Sequence, residues 1–274
     1  MTGPEDLRER LRRFRAAYAA HRAAEGRGRG GEEELLALPY VRSGPTAKQW
    51  AVRARSFDRF LEAVLEARVL EAVGRSLRVL DLGAGNGWLA YRVQRLGHRA
   101  TAVDIRDDDV DGLGAARAYR RHLPAMFDRV VASFEALPFA ARTFDIAVFN
   151  ASIHYALDLA AALAEAARVV VPGGRIAIVD SPFYASAEQG EAMVAEKRRE
   201  AARRFGARAG DLMALPFVEY LTPDRLAEAS ARLGLEWRRH RVRYPLWYEA
   251  RPLLAALGRR RPPSRFDVWE AKVP

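Results

Sequence analysis

VLDLGAGNG, residues 79–87, is a short apolar strand that runs into a turn built on Gly83, Gly85 and Gly87. Glycine frees the backbone to adopt angles that other residues avoid, and lets a ligand approach it closely. A dinucleotide pyrophosphate would need a third glycine three residues after the second, at a helix N-terminus. Here the spacing is G-x-G-x-G, and Asp81 lies inside the end of the strand. A carboxylate at that point repels a pyrophosphate and attracts an ammonium group. The loop therefore points to a cationic, amino-acid-bearing nucleoside and away from NAD. Twenty-one residues after Gly83, Asp104 ends the next strand, HRATAVDI (98–105). A carboxylate at a strand end accepts both hydroxyls of a ribose in charge-assisted hydrogen bonds.

Outward from this loop, strands alternate with helical stretches. An amphipathic segment runs to Leu96 and stops at Gly97, and a helix is predicted near 112–123. RVVAS (129–133), FDIAVFN (144–150) and GGRIAIVD (173–180) are the third to fifth strands, with the helix ALDLAAALAEAARVV before the last. LEWRRHRVRY and RFDVWEAKV (265–273) supply two late strands. Such alternation implies right-handed crossovers and a sheet covered on both faces. The predicted fold is α/β: a Rossmann-like, doubly wound, mostly parallel seven-stranded sheet. Before it, residues 1–77 form a helical extension, or cap. Leu7, Leu11, Phe14 and Tyr18 mark a helix over 5–24, GRGRGG (26–31) breaks it, and a second helix is predicted from Thr46 to Val73, stopped by Gly74. Residues 78–274 form the main domain, with a helical insertion at 183–222 before TPDRLAEASARLG, where Thr222 precedes Pro223 at a first helical position.

The 274 residues contain no cysteine, which excludes disulfides and thiolate metal sites. Five scattered histidines without HExxH give no expectation of a metal. The charged start MTGPEDLRERLRRF has no apolar h-region, and no run reaches the roughly 20 apolar residues of a membrane span, so a cytoplasmic protein is expected. The net charge of +10 divides as +4 over 1–77, zero over 78–180 and +6 over 181–274. Basic flanks suit an anionic substrate or nucleic acid. They also follow from arginine-rich codon usage, since Lys48, Lys197 and Lys272 are the only lysines.

Four motifs in order resemble class I S-adenosylmethionine (SAM)-dependent methyltransferases, and more narrowly the methyltransferase-11 subgroup similar to quinone-biosynthesis C-methyltransferases. They are VLDLGAGNG, AVDI, SFEALPFAARTFDIAVFNASIHY and EAARVVVPGGRIAIVD, over about residues 78–180. The resemblance implies SAM as cofactor and S-adenosylhomocysteine as product. It places Asp81, Gly83, Ala84, Gly85, Asn86 and Gly87 at the methionine portion, with Asp104 and Ile105 at the ribose. Ser133, Phe134 and Glu135 would meet the adenine, and Asn150 and Ala151 the methionine side. One departure stands out: the family commonly has an aspartate where this chain has Ser133.

In the loop NASIHY (150–155) the resemblance turns His154 toward the acceptor. Methyl transfer from a sulfonium mainly requires orientation and desolvation, whereas an oxygen acceptor also requires proton removal. An imidazole of near-neutral pKa suits that task, so His154 is the candidate base; packing beside the cofactor is the competing role. DSPFY (180–184) resembles a nucleic-acid amino-methylating motif but follows the fifth strand instead of the fourth, which leaves Tyr184 as a substrate contact. Tyr40, Tyr155 and Trp247 are the other substrate candidates, and Arg53 or Arg42 would clamp the cofactor carboxylate. The expected activity is methylation of a small organic acceptor at oxygen or activated carbon. RNA methylation, or SAM binding without transfer, are the alternatives.

Overall fold

A computed structural model of the chain describes residues 4–24, 31–206, 210 and 215–274. Gly26–Arg29 and Gly30 of the glycine-rich run, and most of residues 207–214 in the expected insertion, lie outside the described residues.

Seven strands form one sheet: β1 (Arg78–Leu82), β2 (Arg99–Asp104), β3 (Asp128–Val131), β4 (Phe144–Asn150), β5 (Val170–Val179), β6 (Trp237–His240) and β7 (Val268–Lys272). Their order is β3-β2-β1-β4-β5-β7-β6. The first five strands are parallel, and β7 enters antiparallel between β5 and β6. β4 is buried along its whole length, because it lies mid-sheet with helices on both faces. One apolar layer joins the sheet to α3 (Ala47–Phe60) and α5 (Trp88–Arg95) through Phe57, Phe60, Trp88 and Tyr91. The other joins it to α6 (Leu159–Val169) and α8 (Pro223–Ser230) through Leu163, Ala166 and Leu226. Thr222 caps α8 by accepting the Arg225 N–H at 3.1 Å, with Pro223 in the first turn, as the sequence predicts.

Ahead of the sheet stand α1 (Pro4–Ala24), α2 (Gly31–Ala37), α3 and α4 (Glu66–Glu71). The helix expected from Thr46 to Val73 is interrupted by a π-helical turn at Leu61–Leu65. That wider turn sits where Phe60, Val64 and Leu65 all face the core. The stretch near 112–123 is a 3-10 helix, Ala115–His122, and not an α-helix. A Cβ on Gly114 would fall 2.2 Å from Asp109 Oδ1, so the acidic loop before it packs tightly against the helix start. α7 (Ala187–Phe205) lies within the insertion, and α9 (Leu246–Glu249) and α10 (Arg251–Leu257) precede β7.

β1 and β4 lie side by side at mid-sheet, and their C-terminal ends open at the point where the chain winds toward β2 on one side and β5 on the other. That crevice is where open α/β sheets hold ligands.

Candidate active site

The glycine turn is fixed from below by β2. Val103 O accepts the N–H of Gly83 at 2.8 Å and of Ala84 at 2.9 Å. Asp104 then grips the turn sideways: Oδ2 accepts the Gly85 N–H and Oδ1 the Arg106 N–H, each at 2.8 Å. Burial pushes its pKa up, and these two amides oppose the shift. The three glycines differ in what they make room for. A Cβ on Gly83 would lie 2.3 Å from the Ser152 Cβ, and one on Gly87 would lie 2.9 Å from Phe127. Protein packing therefore demands both. Gly85, at φ +55°, faces only Asp111 O at 3.4 Å, so its bare side is turned to the cavity.

That cavity measures about 970 Å³. Gly83, Ala84, Gly85, Asn86, Asp104 and Ile105 form one wall, Ser133, Phe134 and Glu135 a second, and Asn150, Ala151, His154 and Tyr155 a third. Asp81 and Gly87 lie behind the first wall. Asp81 is 1% exposed; its Oδ2 accepts the Ala90 N–H at 3.3 Å and its Oδ1 has no partner among the described residues. Burial pushes its carboxyl up to about 7. Asn150 Oδ1 is likewise buried and unpartnered among the described residues. Ser133 Oγ accepts the Glu135 N–H at 3.2 Å. Glu135 Oε1 accepts the N–H groups of Leu157 and Asp158, which ties the second wall to the third. Phe134 meets the edge of Phe149 at 5.6 Å between centroids.

Two substrate candidates fall outside the cavity. Tyr40 donates to Asp58 Oδ1 at 2.8 Å and lies under Arg92, held by the α3 surface. Tyr184 is buried against Tyr220 and receives Arg261 Nη1 at 3.2 Å, because the chain turns away after β5. Tyr155 and Trp247 do line it. Arg42 is exposed and does not, whereas Arg53 enters it.

His154 follows β4 in a single 3-10 turn, with Nδ1 3.5 Å from Ser181 Oγ. Burial pushes its pKa down to about 3, aided by the positive charges of Lys197 and Arg53.

Two further features emerge from the tertiary structure. α1 lays Phe14 and Tyr18 across the opening, where they meet Tyr155 and Phe217 with centroids 4.7–6.5 Å apart. Arg106 sits 5.2 Å from the Tyr18 ring. Opposite, Asp180 ends β5 in a left-handed conformation at φ +52°. Its Oδ2 pairs with Arg53 Nε at 3.2 Å, and Arg53 stacks 4.6 Å from Trp50. Burial pushes the Asp180 carboxyl up, opposed by Arg53 and Ser56. A carboxylate at a strand's C-terminal end was the available signal for Asp180. Helix docking over the opening has no sequence signal short of tertiary contact.

Residues 80–178 match the methyltransferase-domain family. The malonyl-[acyl-carrier protein] O-methyltransferase of Erwinia pyrifoliae is 35% identical over 127 residues, 45% of this chain and 46% of that protein. The ubiquinone/menaquinone biosynthesis C-methyltransferase UbiE of Rhizobium meliloti is 39% identical over 106 residues, 38% of this chain and 41% of that protein. The chain thus spans less than half the length of these curated relatives. Among solved structures, the 1,6-didemethyltoxoflavin-N1-methyltransferase of Burkholderia thailandensis, with 1,6-didemethyltoxoflavin and S-adenosylhomocysteine bound, aligns over all of this chain and 91% of its own. Its TM-score is 0.55 at 18% identity. The [4+2]-cyclase SpnF aligns over 80% of each chain, with TM-score 0.53 and 20% identity. The chain therefore shares the α/β fold of these solved structures, and residues 80–178 match the methyltransferase-domain family.

Proposed function

We propose that the protein is a SAM-dependent methyltransferase acting on a small organic acceptor at oxygen or activated carbon. The observation that carries this reading is one cavity that collects the Asp104 carboxylate, the bare side of Gly85 and the unpartnered Asn150 Oδ1, with the uncompensated Asp81 carboxylate just behind. An isolated buried carboxylate is costly unless a cation joins it. The ammonium of SAM fits that need, and the ribose hydroxyls fit Asp104, whose two oxygens are already aimed by backbone amides.

When bound, SAM supplies a methyl group on a sulfonium, which is displaced in line by the acceptor. The chain's own residues then orient and desolvate. Ser133, Phe134 and Ile105 border the adenine, with the Phe134 backbone amide and the Ser133 hydroxyl in place of the usual aspartate. Phe14, Tyr18, Tyr155 and Phe217 keep water out. Residues 1–77 act as the cap, and Lys197 of α7 binds at 2.6 Å to Glu219, whose backbone N–H donates to His154 O at 2.8 Å. Asp180, held by Arg53, is the polar anchor for the acceptor. The roofed aromatic cavity favours a small molecule over an RNA strand.

Calorimetry tests the cofactor step. SAM and S-adenosylhomocysteine should bind and NAD should not; binding of NAD alone would refute the reading. Asp104→Ala should weaken S-adenosylhomocysteine by about 1.5–3 kcal/mol, the scale of hydrogen bonds to a charged group.

A further inference from the structure

Between β6 and β7 the chain gathers two features that the fold does not use. Leu246, Trp247, Leu253, Leu254 and Leu257, on α9 and α10, are 47–88% exposed. Residues 241–265 hold seven arginines, and Glu249 is the only acidic residue among them. Arg261 is paired with Glu196, and Arg265 with Glu249 and Asp267. Among the described residues, Arg241, Arg243, Arg251, Arg259 and Arg260 have no ion-pair partner. Codon usage explains arginine in place of lysine, but not this local excess over acid or its coincidence with bare leucines. Five exposed large apolar side chains within residues 246–257 mark an interaction surface.

We infer that this segment docks the protein on an anionic bilayer, leucines and Trp247 in the interface and arginines on the headgroups. Exposed leucines and a tryptophan flanked by arginines bind anionic membranes in this way without crossing them. No helix among the described residues is long and apolar enough to cross one. Charge decides against the other occupants. A second copy meeting the same face would oppose Arg251, Arg259 and Arg260 with the same arginines of its own. A polynucleotide would satisfy the arginines and strand the leucines.

The patch is continuous with the cavity, because Trp247 belongs to both and Tyr248 lines the cavity beside it. A docked protein would thus open its acceptor side at the lipid surface. If the methyltransferase reading holds, the acceptor class is a lipophilic molecule drawn from the bilayer.

The test is flotation of the full chain with phosphatidylcholine vesicles, with and without phosphatidylglycerol, at low and high salt. Partitioning should rise at least about tenfold with the anionic lipid and fall with salt. L253E/L257E and R259E/R260E should each reduce it about tenfold or more. All four positions are surface positions away from the cavity, so both variants should melt as the wild type and bind S-adenosylhomocysteine equally. Absent partitioning, or partitioning that neither variant reduces, overturns the inference. So does a dimer in light scattering that L253E/L257E dissociates, which would assign the face to a second copy. S-adenosylhomocysteine binding is measured without vesicles, so failure of the methyltransferase reading shows separately.

Discussion

At Asp81 and His154, burial works on charge in opposite directions. Asp81 is raised from 3.8 to about 7, so as pH rises from about 4 to 7 the unfolded chain gives up its proton first. Stability from this group is therefore lost across that window. His154 is lowered from 6.5 to about 3, so as pH falls below 6.5 the unfolded chain takes the proton first, and stability falls toward acid. Asp81→Asn should raise the Tm of the ligand-free protein at pH 8, with the gain shrinking as pH falls toward 4. The same variant should bind S-adenosylhomocysteine more weakly; a lower Tm at pH 8 would show that the carboxylate is compensated. For His154, the imidazole stays neutral through the working range. His154→Ala should lower turnover while the pH–rate profile between pH 5 and 9 keeps its shape. An acid limb that disappears in the variant would restore the histidine as a titrating base.

α1 matters because of where it lies, not because of its own helical strength. Phe14 is 5% exposed, yet its ring partners Tyr155 and Phe217 come from the loop after β4 and the segment before α8. Such a contact holds a roof in place without contributing much to the sheet. Phe14→Ala should therefore speed release of S-adenosylhomocysteine by about tenfold, mainly through the dissociation rate, and shift the Tm by no more than a degree or two. Stopped-flow displacement and a thermal melt decide it. A large Tm loss with unchanged release would place Phe14 in the core and not in the roof. The π-helical turn at Leu61–Leu65 makes a similar point: the apolar stripe is legible as a helix, but the extra residue in one turn is chosen by what the sheet presents.

Across the whole molecule, binding and stability are linked through the polar groups that the fold leaves uncompensated around one cavity. S-adenosylhomocysteine at a hundred times its Kd should add about 2.7 kcal/mol to stability, which corresponds to a rise in Tm of roughly 5 °C or more. NAD at the same concentration should leave the Tm unchanged. In Asp81→Asn the increment should shrink, because part of the relief that the ammonium provides is already present.

The sheet was legible from the sequence because strands buried on both faces are continuous apolar runs, and because the G-x-G-x-G turn with Asp81 and Asp104 is local chemistry at fixed spacing. The cap on α8 was legible for the same reason: Thr222 and Pro223 act on their own helix. Tyr40, Tyr184, Phe14 and Asp180 were decided only in three dimensions. Whether an aromatic or a carboxylate reaches a cavity depends on how elements far apart in the chain pack together, and no single segment carries that information. The pKa of His154 belongs to the same class, since the burial that lowers it is supplied by residues distant in sequence.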